Sequence, residues 1–493
     1  MKRIILIFLF PLFGQIIIAQ TEIEKVNSTV SKNEIESQIY FLASDELKGR
    51  ETGSPEIDIA AAYLANMLRK YGVKPIGENN SYYQNVQLEK ISPAKHLEIE
   101  LNNSKLNKLL PLNVDNFEFT GEAIFLNYGL DEDYIGKNVK GKLILVKAGT
   151  REQNNPRSSF QLGSKKRALA KKYGAVGIVE LSNIAEPLWT NISHYFNGEK
   201  INLADKETDQ SIHLWLQDVD GSIAKQLDSL KNSKVKLNIS GMDKKRFVSR
   251  NVVGILEGDD PKLKNEYVIY SAHYDHNGVG KPNEQNDSIY NGARDNAVGT
   301  VTVLSAAENI GKYPTKRSSL FILFTGEEKG LLGSKWYVEH PIVPLEKVVF
   351  CFNSDNGGYN DTSKATIIGL NRTTASKHIL NATEQFGLTA IDDPAPEQGL
   401  FDRSDNVQFA AKGIPAPTFS LGFNAFDDEI NKYYHQVTDN PETLDYDYLV
   451  KFFKSYVYAC RLIANDPITP FWVEGDKYYE KGTTLYQRKI IKN

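Results

Sequence analysis

The spacing of apolar and polar positions changes character along this 493-residue chain. Residues 32–43 place apolar side chains at helical spacing, which predicts one amphipathic helix. A second helix is predicted to open at Ser54-Pro55, a capping residue followed by proline at the first helical position. It carries Ile57, Ala61, Leu64 and Leu68 on one face and stops at Gly72. Between 92 and 249 the apolar runs are short and alternate with polar turns. There, 140–149 (KGKLILVKAG) predicts a strand, 164–173 a basic helix, and 174–181 (GAVGIVEL) another strand. From Asn251 the chain reads as βαβ alternation. Strands are predicted over 267–272, 320–325, 348–353 and 416–421. Helices are predicted over 297–310, ended by Gly311, and over 376–386, ended by Gly387. A last helix is opened by Pro441 and reaches Ala464. Such alternation implies an α/β fold, a mostly parallel mixed sheet sandwiched by helices. In these sheets the site lies at the carboxyl ends of the strands.

The first residues change the picture of where the protein works. Lys2 and Arg3 precede a nearly continuous apolar run over 4–18, and Ala19 is a small residue suited to cleavage. This reads as a signal peptide over 1–19 and a secreted or periplasmic protein. The run is short for a membrane span and is interrupted by Pro11 and Gly14, so no stable membrane insertion is expected after cleavage. With 41% hydrophobic and 24% charged residues the composition is that of a globular protein. A net charge of −4 gives no basic field, so nucleic acid is not an expected partner. Cys351 falls in an apolar strand and Cys460 in the last helix. They read as small buried hydrophobes, with one disulfide as the alternative. Neither is expected to hold a metal.

The chemistry gathers after the strands. His273-Tyr274-Asp275-His276 follows the first, Gly326-Glu327-Glu328 the second and Ser354-Asp355 the third. Asn291-Gly292-Ala293-Arg294-Asp295-Asn296 precedes a helix, and Tyr433-Tyr434-His435-Gln436 lies between the last strand and the last helix. Imidazole nitrogen and carboxylate oxygen suit zinc. His273, Asp295, Glu328, Asp355 and His435 make five ligands, and one bridging carboxylate gives each of two zinc ions three protein ligands. Asp295, in a turn, is the expected bridge, with the ions about 3.5–4 Å apart. Adjacent Glu327 and Glu328 then have separate tasks: Glu328 ligates, while Glu327 serves as general base. Asp275 is expected to accept the second N–H of the His273 imidazole and fix its tautomer. His276, His340 and His378 read as structural or surface residues.

These motifs (HYD, DSIYNGARDNAVGT, FTGEEKGLLGS, FNSDNGG and YYHQVTD) resemble those of the co-catalytic zinc aminopeptidases, peptidase family M28. The resemblance spans most of 251–465. Its relatives include leucyl aminopeptidases, glutamate carboxypeptidase, glutaminyl cyclase and transferrin receptor. It implies that His273 and Asp355 hold one zinc, that Glu328 and His435 hold the other, and that Asp295 bridges. It also implies a non-proline cis peptide at Asp295-Asn296. Residues 41–56 resemble the family's N-terminal piece, and 403–416 its pocket-lining loop. The inserted segment resembles a protease-associated domain, which implies a lid or substrate-selecting role. Arg294, Val298, Asn356 and Asn406 depart from common family residues. Arg294, Asn356, Ser404, Asp405 and Tyr434 are the expected substrate-contacting positions.

The expected domains are thus 20–91 and 250–465 for the catalytic part, 92–249 for the insertion, and 466–493 for a C-terminal tail. The expected function is that of a secreted exopeptidase, an aminopeptidase acting on peptides through a di-zinc-activated water. A glutamate-carboxypeptidase-like hydrolase is the first alternative, with Arg151, Arg157, Lys165, Lys166 and Arg167 as a basic patch that would grip a carboxylate. Glutaminyl cyclase and a receptor-like binding protein are the others. Retention of all five ligands and the base argues against the last.

Overall fold

The computed structural model describes residues 20–153, 155–204, 211–230 and 233–487. The predicted signal peptide over 1–19 lies outside the described residues. The chain forms two compact units, Met1–Val86 with Ser249–Asn493, and Gln87–Val248.

The first unit is built on a sheet that includes β1 (Lys244–Leu256), β2 (Tyr267–His273), β3 (Ser318–Phe324), β4 (Val348–Ser354), β5 (Lys364–Ile368), β6 (Thr389–Ile391) and β7 (Thr418–Leu421). Their spatial order is β6-β5-β7-β4-β2-β3-β1. Strands β2, β3, β4 and β7 run parallel, whereas β1 and β5 are antiparallel to their neighbours β3 and β7. Every residue of β3 and β4 is buried, as expected for strands covered on both faces. Because β2, β3 and β4 share one direction, whatever follows each emerges at one edge of the sheet.

One face is covered by α1 (Lys32–Leu42), α2 (Pro55–Lys70), α3 (Gly299–Lys312), α4 (Ser376–Gln385) and α5 (Tyr446–Asn465). Leu64, Leu304, Phe350 and Phe453 belong to this core. Phe324, Cys351, Phe409 and Trp472 belong to the core of the opposite face. The Ser54 hydroxyl accepts the Ile57 N–H, so the serine caps α2 while Pro55 occupies the first turn, where its missing N–H costs nothing.

Three expectations about this unit are corrected. Gly311 does not end its helix, since α3 runs on to Lys312. A Cβ there would lie 2.1 Å from the Tyr71 carbonyl oxygen, so Gly311 marks a close backbone approach. Pro441 opens a separate short turn, Pro441–Thr443, and α5 starts after Asp445, whose carboxylate accepts the N–H groups of Asp447 and Tyr448. Residues beyond 465 are more than a tail. Phe471 and Trp472 enter the second core, the Trp472 indole donates to Gly413 O, and Asp476 pairs with Arg372 at 2.6 Å.

The second unit carries an eight-stranded sheet. Lys166 is not available to the basic patch expected to grip a carboxylate. It is fully buried, donating to Glu180 at 2.7 Å and to Lys147 O at 2.8 Å, while the His213 Nε2 lies 2.7 Å from the other Glu180 oxygen. Both cysteines are free and buried. Among the described residues no helix is long and apolar enough to cross a membrane.

Candidate metal centre

His273 is the last residue of β2 and is buried. Its Nδ1 is 3.1 Å from the main-chain oxygen of Asp275. A carbonyl only accepts, so Nδ1 carries the hydrogen and, in the neutral ring, Nε2 presents a lone pair. That lone pair faces Asp355 Oδ1 at 3.2 Å and Asp295 Oδ1 at 3.3 Å. Three acceptors pointed at one spot repel one another unless a cation lies between them. The pattern repeats at His435, whose Nε2 is 3.1 Å from Asp295 Oδ2 and 3.3 Å from Glu328 Oε2. Asp295 therefore offers one oxygen to each set. Ligands about 2.0–2.1 Å from a tetrahedral zinc stand about 3.3 Å apart, which these separations match. The donor set suits zinc.

The turn carrying Asp295 is held from several sides. Its peptide bond to Asn296 is cis. Asn296 donates to Ser354 O at 2.9 Å, tying the turn to the strand end before Asp355. Asp439 accepts the N–H groups of Arg294 and Asp295, so the segment following His435 is joined to Asp295. Arg50 is buried and reaches the loop after β2 and the turn before Asp295. It donates to Tyr274 O at 2.8 Å, to Asn291 O at 2.7 Å and to Gly292 O at 3.0 Å. Its partners are all carbonyls. Burial pushes its guanidinium down to about 10, against the pull of Asp275, Asp439 and Asp295.

The Gly326-Glu327-Glu328 turn is organised by Asp275, and here the expected role of that residue is corrected. The Asp275 carboxylate is not hydrogen-bonded to the His273 ring, from which it stands 3.8 Å away. It accepts the Glu327 N–H at 3.1 Å, the Glu328 N–H at 3.3 Å and the Thr52 hydroxyl at 2.9 Å. The tautomer of His273 is set by the main-chain oxygen of Asp275 instead. The Glu327 carboxylate makes no hydrogen bond to any described residue.

The charges are strongly coupled. Burial tends to lower the His273 imidazole, but Asp355 and Glu327 overcome it and hold the ring well above its usual value. Burial likewise opposes His435, which Asp295 and Glu328 nevertheless raise to about 9. Burial would raise Asp295, yet the two imidazoles drive it well below the usual carboxylate range. Glu327 moves well upward through burial and the nearby Asp355 and Glu328 charges. Asp405 is pushed up to about 7 by burial.

Of the expected substrate-contacting residues, two are corrected. Arg294 is buried, with its guanidinium on Asp439 at 3.0 Å and on Thr443, stacked 3.7 Å from the Tyr433 ring centre. Asn356 is buried and spans Asn296 Oδ1 and the Leu421 N–H. The terminal guanidinium nitrogens of Arg294 and the amide of Asn356 are bonded to the scaffold. Ser404 is buried and accepts from Asn353, whereas Tyr434 is half-buried, stacked on the His435 ring and bonded through its hydroxyl to the exposed Arg403. His340 and His378 lie elsewhere, on Trp336 and Asp466. His276, read from sequence as structural or surface, is at the centre: it is fully buried with Nδ1 2.7 Å from Glu328 Oε1. Its place one residue beyond the His-x-Asp motif was the only signal.

A mostly parallel α/β sheet with imidazoles and carboxylates converging at its strand ends defines a metallohydrolase type of site. Residues 251–459 match the model of peptidase family M28. Aminopeptidase YwaD of Bacillus subtilis is 30% identical over 202 residues, 39% of this chain and 40% of that protein. A probable leucine aminopeptidase 2 of Aspergillus oryzae is 22% identical over 449 residues, 85% of this chain and 81% of that protein. The solved aminopeptidase from Aneurinibacillus sp. strain AM-1 shares the fold, with a TM-score of 0.62 and 21% identity over 91% of this chain and 97% of that one.

Proposed function

We propose that the chain is an exported zinc-dependent aminopeptidase that releases residues from the free N-termini of peptides. One observation carries the reading: His273 Nε2 and His435 Nε2 each face two carboxylates, and Asp295 belongs to both sets. His273, Asp355 and Asp295 would hold one ion, and His435, Glu328 and Asp295 the other. Bound there, the ions supply Lewis acidity and a water that ionises near neutral pH.

The remaining work belongs to the chain. The uncommitted Glu327 carboxylate takes a proton from the attacking water and returns it to the leaving amine. Asp275 holds Glu327 in reach through the main chain. The acidic surroundings of Asp355, Asp405 and Glu327 favour a peptide's ammonium end over its carboxylate end. The relatives' names as aminopeptidases agree with that preference. Export rests on the sequence pattern over 1–19.

Carboxypeptidase action is a second reading, drawn from one observation: exposed Arg403 donates to Tyr434 beside His435 and has a guanidinium that would meet a carboxylate. Peptides blocked at one end or the other, digested and read by mass spectrometry, separate the two. The aminopeptidase reading expects cleavage of amidated peptides with free N-termini and none of N-acetylated ones. Trimming of N-acetylated peptides from the C-terminus would replace it.

A further inference from the structure

His276 is the one imidazole beside the paired carboxylates to which no role has been given. It is fully buried, and its ring lies 5.8 Å from that of His435 at a steep angle. His276, Asp295 and Glu328 converge closely enough to be read as a ligand set of their own. The distances decide otherwise. Two ligands of one tetrahedral zinc stand about 3.3 Å apart. The Nδ1 of His276 is 2.7 Å from Glu328 Oε1 and 4.0 Å from Asp295 Oδ2. The first separation is that of a charge-assisted hydrogen bond, too short for neighbouring ligands of a common ion. The second is too long.

We propose that His276 is a positioning residue that occupies Oε1 of Glu328 and so presents Glu328 to the metal site through Oε2 alone. Oε2 is the oxygen that faces His435 Nε2, at 3.3 Å. A free carboxylate rotates and offers either or both oxygens to a cation. With Oε1 engaged, that freedom is removed before any ion arrives.

The scaffold is fitted to the ring. The main-chain N–H of His276 donates to Arg50 O, and the ring lies against Gly292. A Cβ at Gly292 would stand 2.6 Å from His276 Cγ, so a side chain there would push the ring off Glu328. The His276 Nε2 is buried without a partner. With the hydrogen on Nδ1 that nitrogen is only an acceptor, and the ring spends its single donor on Glu328. Partners of this kind, one bond removed from the metal, change affinity about 10–100-fold when lost.

The inference rests on the di-zinc reading, and the test separates the two. Wild type, His276→Leu and His276→Asn are stripped with a chelator and titrated with zinc against a competing indicator, with thermal melts of the stripped proteins alongside. Asparagine keeps an N–H donor near the place of Nδ1, and leucine keeps the bulk without it. The expected result is two ions in wild type, with one of them bound at least tenfold more weakly by His276→Leu and restored to within threefold by His276→Asn. Turnover should follow the same order, with KM little changed. Unchanged zinc affinities in His276→Leu overturn the inference while leaving the di-zinc reading standing. Equal damage in both variants overturns it too, because the ring rather than its donor would then matter. A wild-type protein that binds fewer than two ions overturns the di-zinc reading and the inference with it.

Discussion

Asp439 accepts both the main-chain N–H of Arg294, at 2.9 Å, and its guanidinium, at 3.0 Å, with both side chains buried. This pair locks the turn of Asp295 to the segment that follows His435. Two of the proposed ligands, from distant parts of the chain, thereby share one support. Removing the carboxylate leaves a buried cation without its counter-charge, which costs about 3–5 kcal/mol. Asp439→Ala should lower the stability measured by denaturant unfolding by that amount. A loss under about 1 kcal/mol, the range of exposed pairs, would show that Arg294 finds compensation elsewhere.

Glu327 and Glu328 should separate cleanly by mutation. Glu327→Gln keeps the shape of the turn and removes the proton acceptor, so turnover should fall about 10²–10⁴-fold. Its zinc content should stay at the wild-type level, whereas Glu328→Gln should lose zinc. Metal analysis beside peptide hydrolysis makes the comparison. Full turnover in Glu327→Gln would remove it from the base role.

Acid sensitivity of the Gln87–Val248 unit should depend on Glu180. Burial would raise this carboxylate, but its bonds to His213 and Lys166 win and hold it below its ordinary value of 4.5. A lowered folded pKa means that the folded chain binds fewer protons than the unfolded chain in the acidic range. The stabilisation is complete above the ordinary value and is lost as pH falls through the folded value. Melting curves recorded from pH 6 downward should therefore fall more steeply for wild type than for Glu180→Gln. Parallel curves would mean that Glu180 titrates as it does in the unfolded chain.

Gly311 offers a test of sign. Helix propensity alone makes glycine-to-alanine in a helix favourable by about 1 kcal/mol. Here the added Cβ would lie 2.1 Å from Tyr71 O, a main-chain atom that cannot swing aside. Overpacking of this kind costs about 1–3 kcal/mol. Gly311→Ala should thus lower the melting temperature, and a rise would show that the two segments can part.

Much of this protein is legible along its sequence. The βαβ alternation, the caps at Ser54 and the acids and histidines after the strands are local patterns, dictated by the periodicity of buried positions and by turn chemistry. Parallel strands then carry His273, Glu328 and Asp355 to one edge, because side chains that follow parallel strands emerge together. What the sequence could not express was the division of labour among polar groups at that edge. Arg294 and Asn356 have the polarity of substrate contacts, but both are consumed by buried partners far away in sequence, Asp439 and Leu421. Asp275 was expected to serve a ring and instead serves two main-chain N–H groups. His276 looked incidental until Glu328 lay beside it. Gly311 and Pro441 have the residue types of a helix stop and a helix start, yet a neighbouring carbonyl explains the first and the cap at Asp445 displaces the second. The physical reason is the same throughout. Periodicity is a property of a residue and its near neighbours, so the chain alone determines it. Burial and hydrogen-bond pairing are properties of whichever segments meet, and only the folded structure decides which donors find which acceptors.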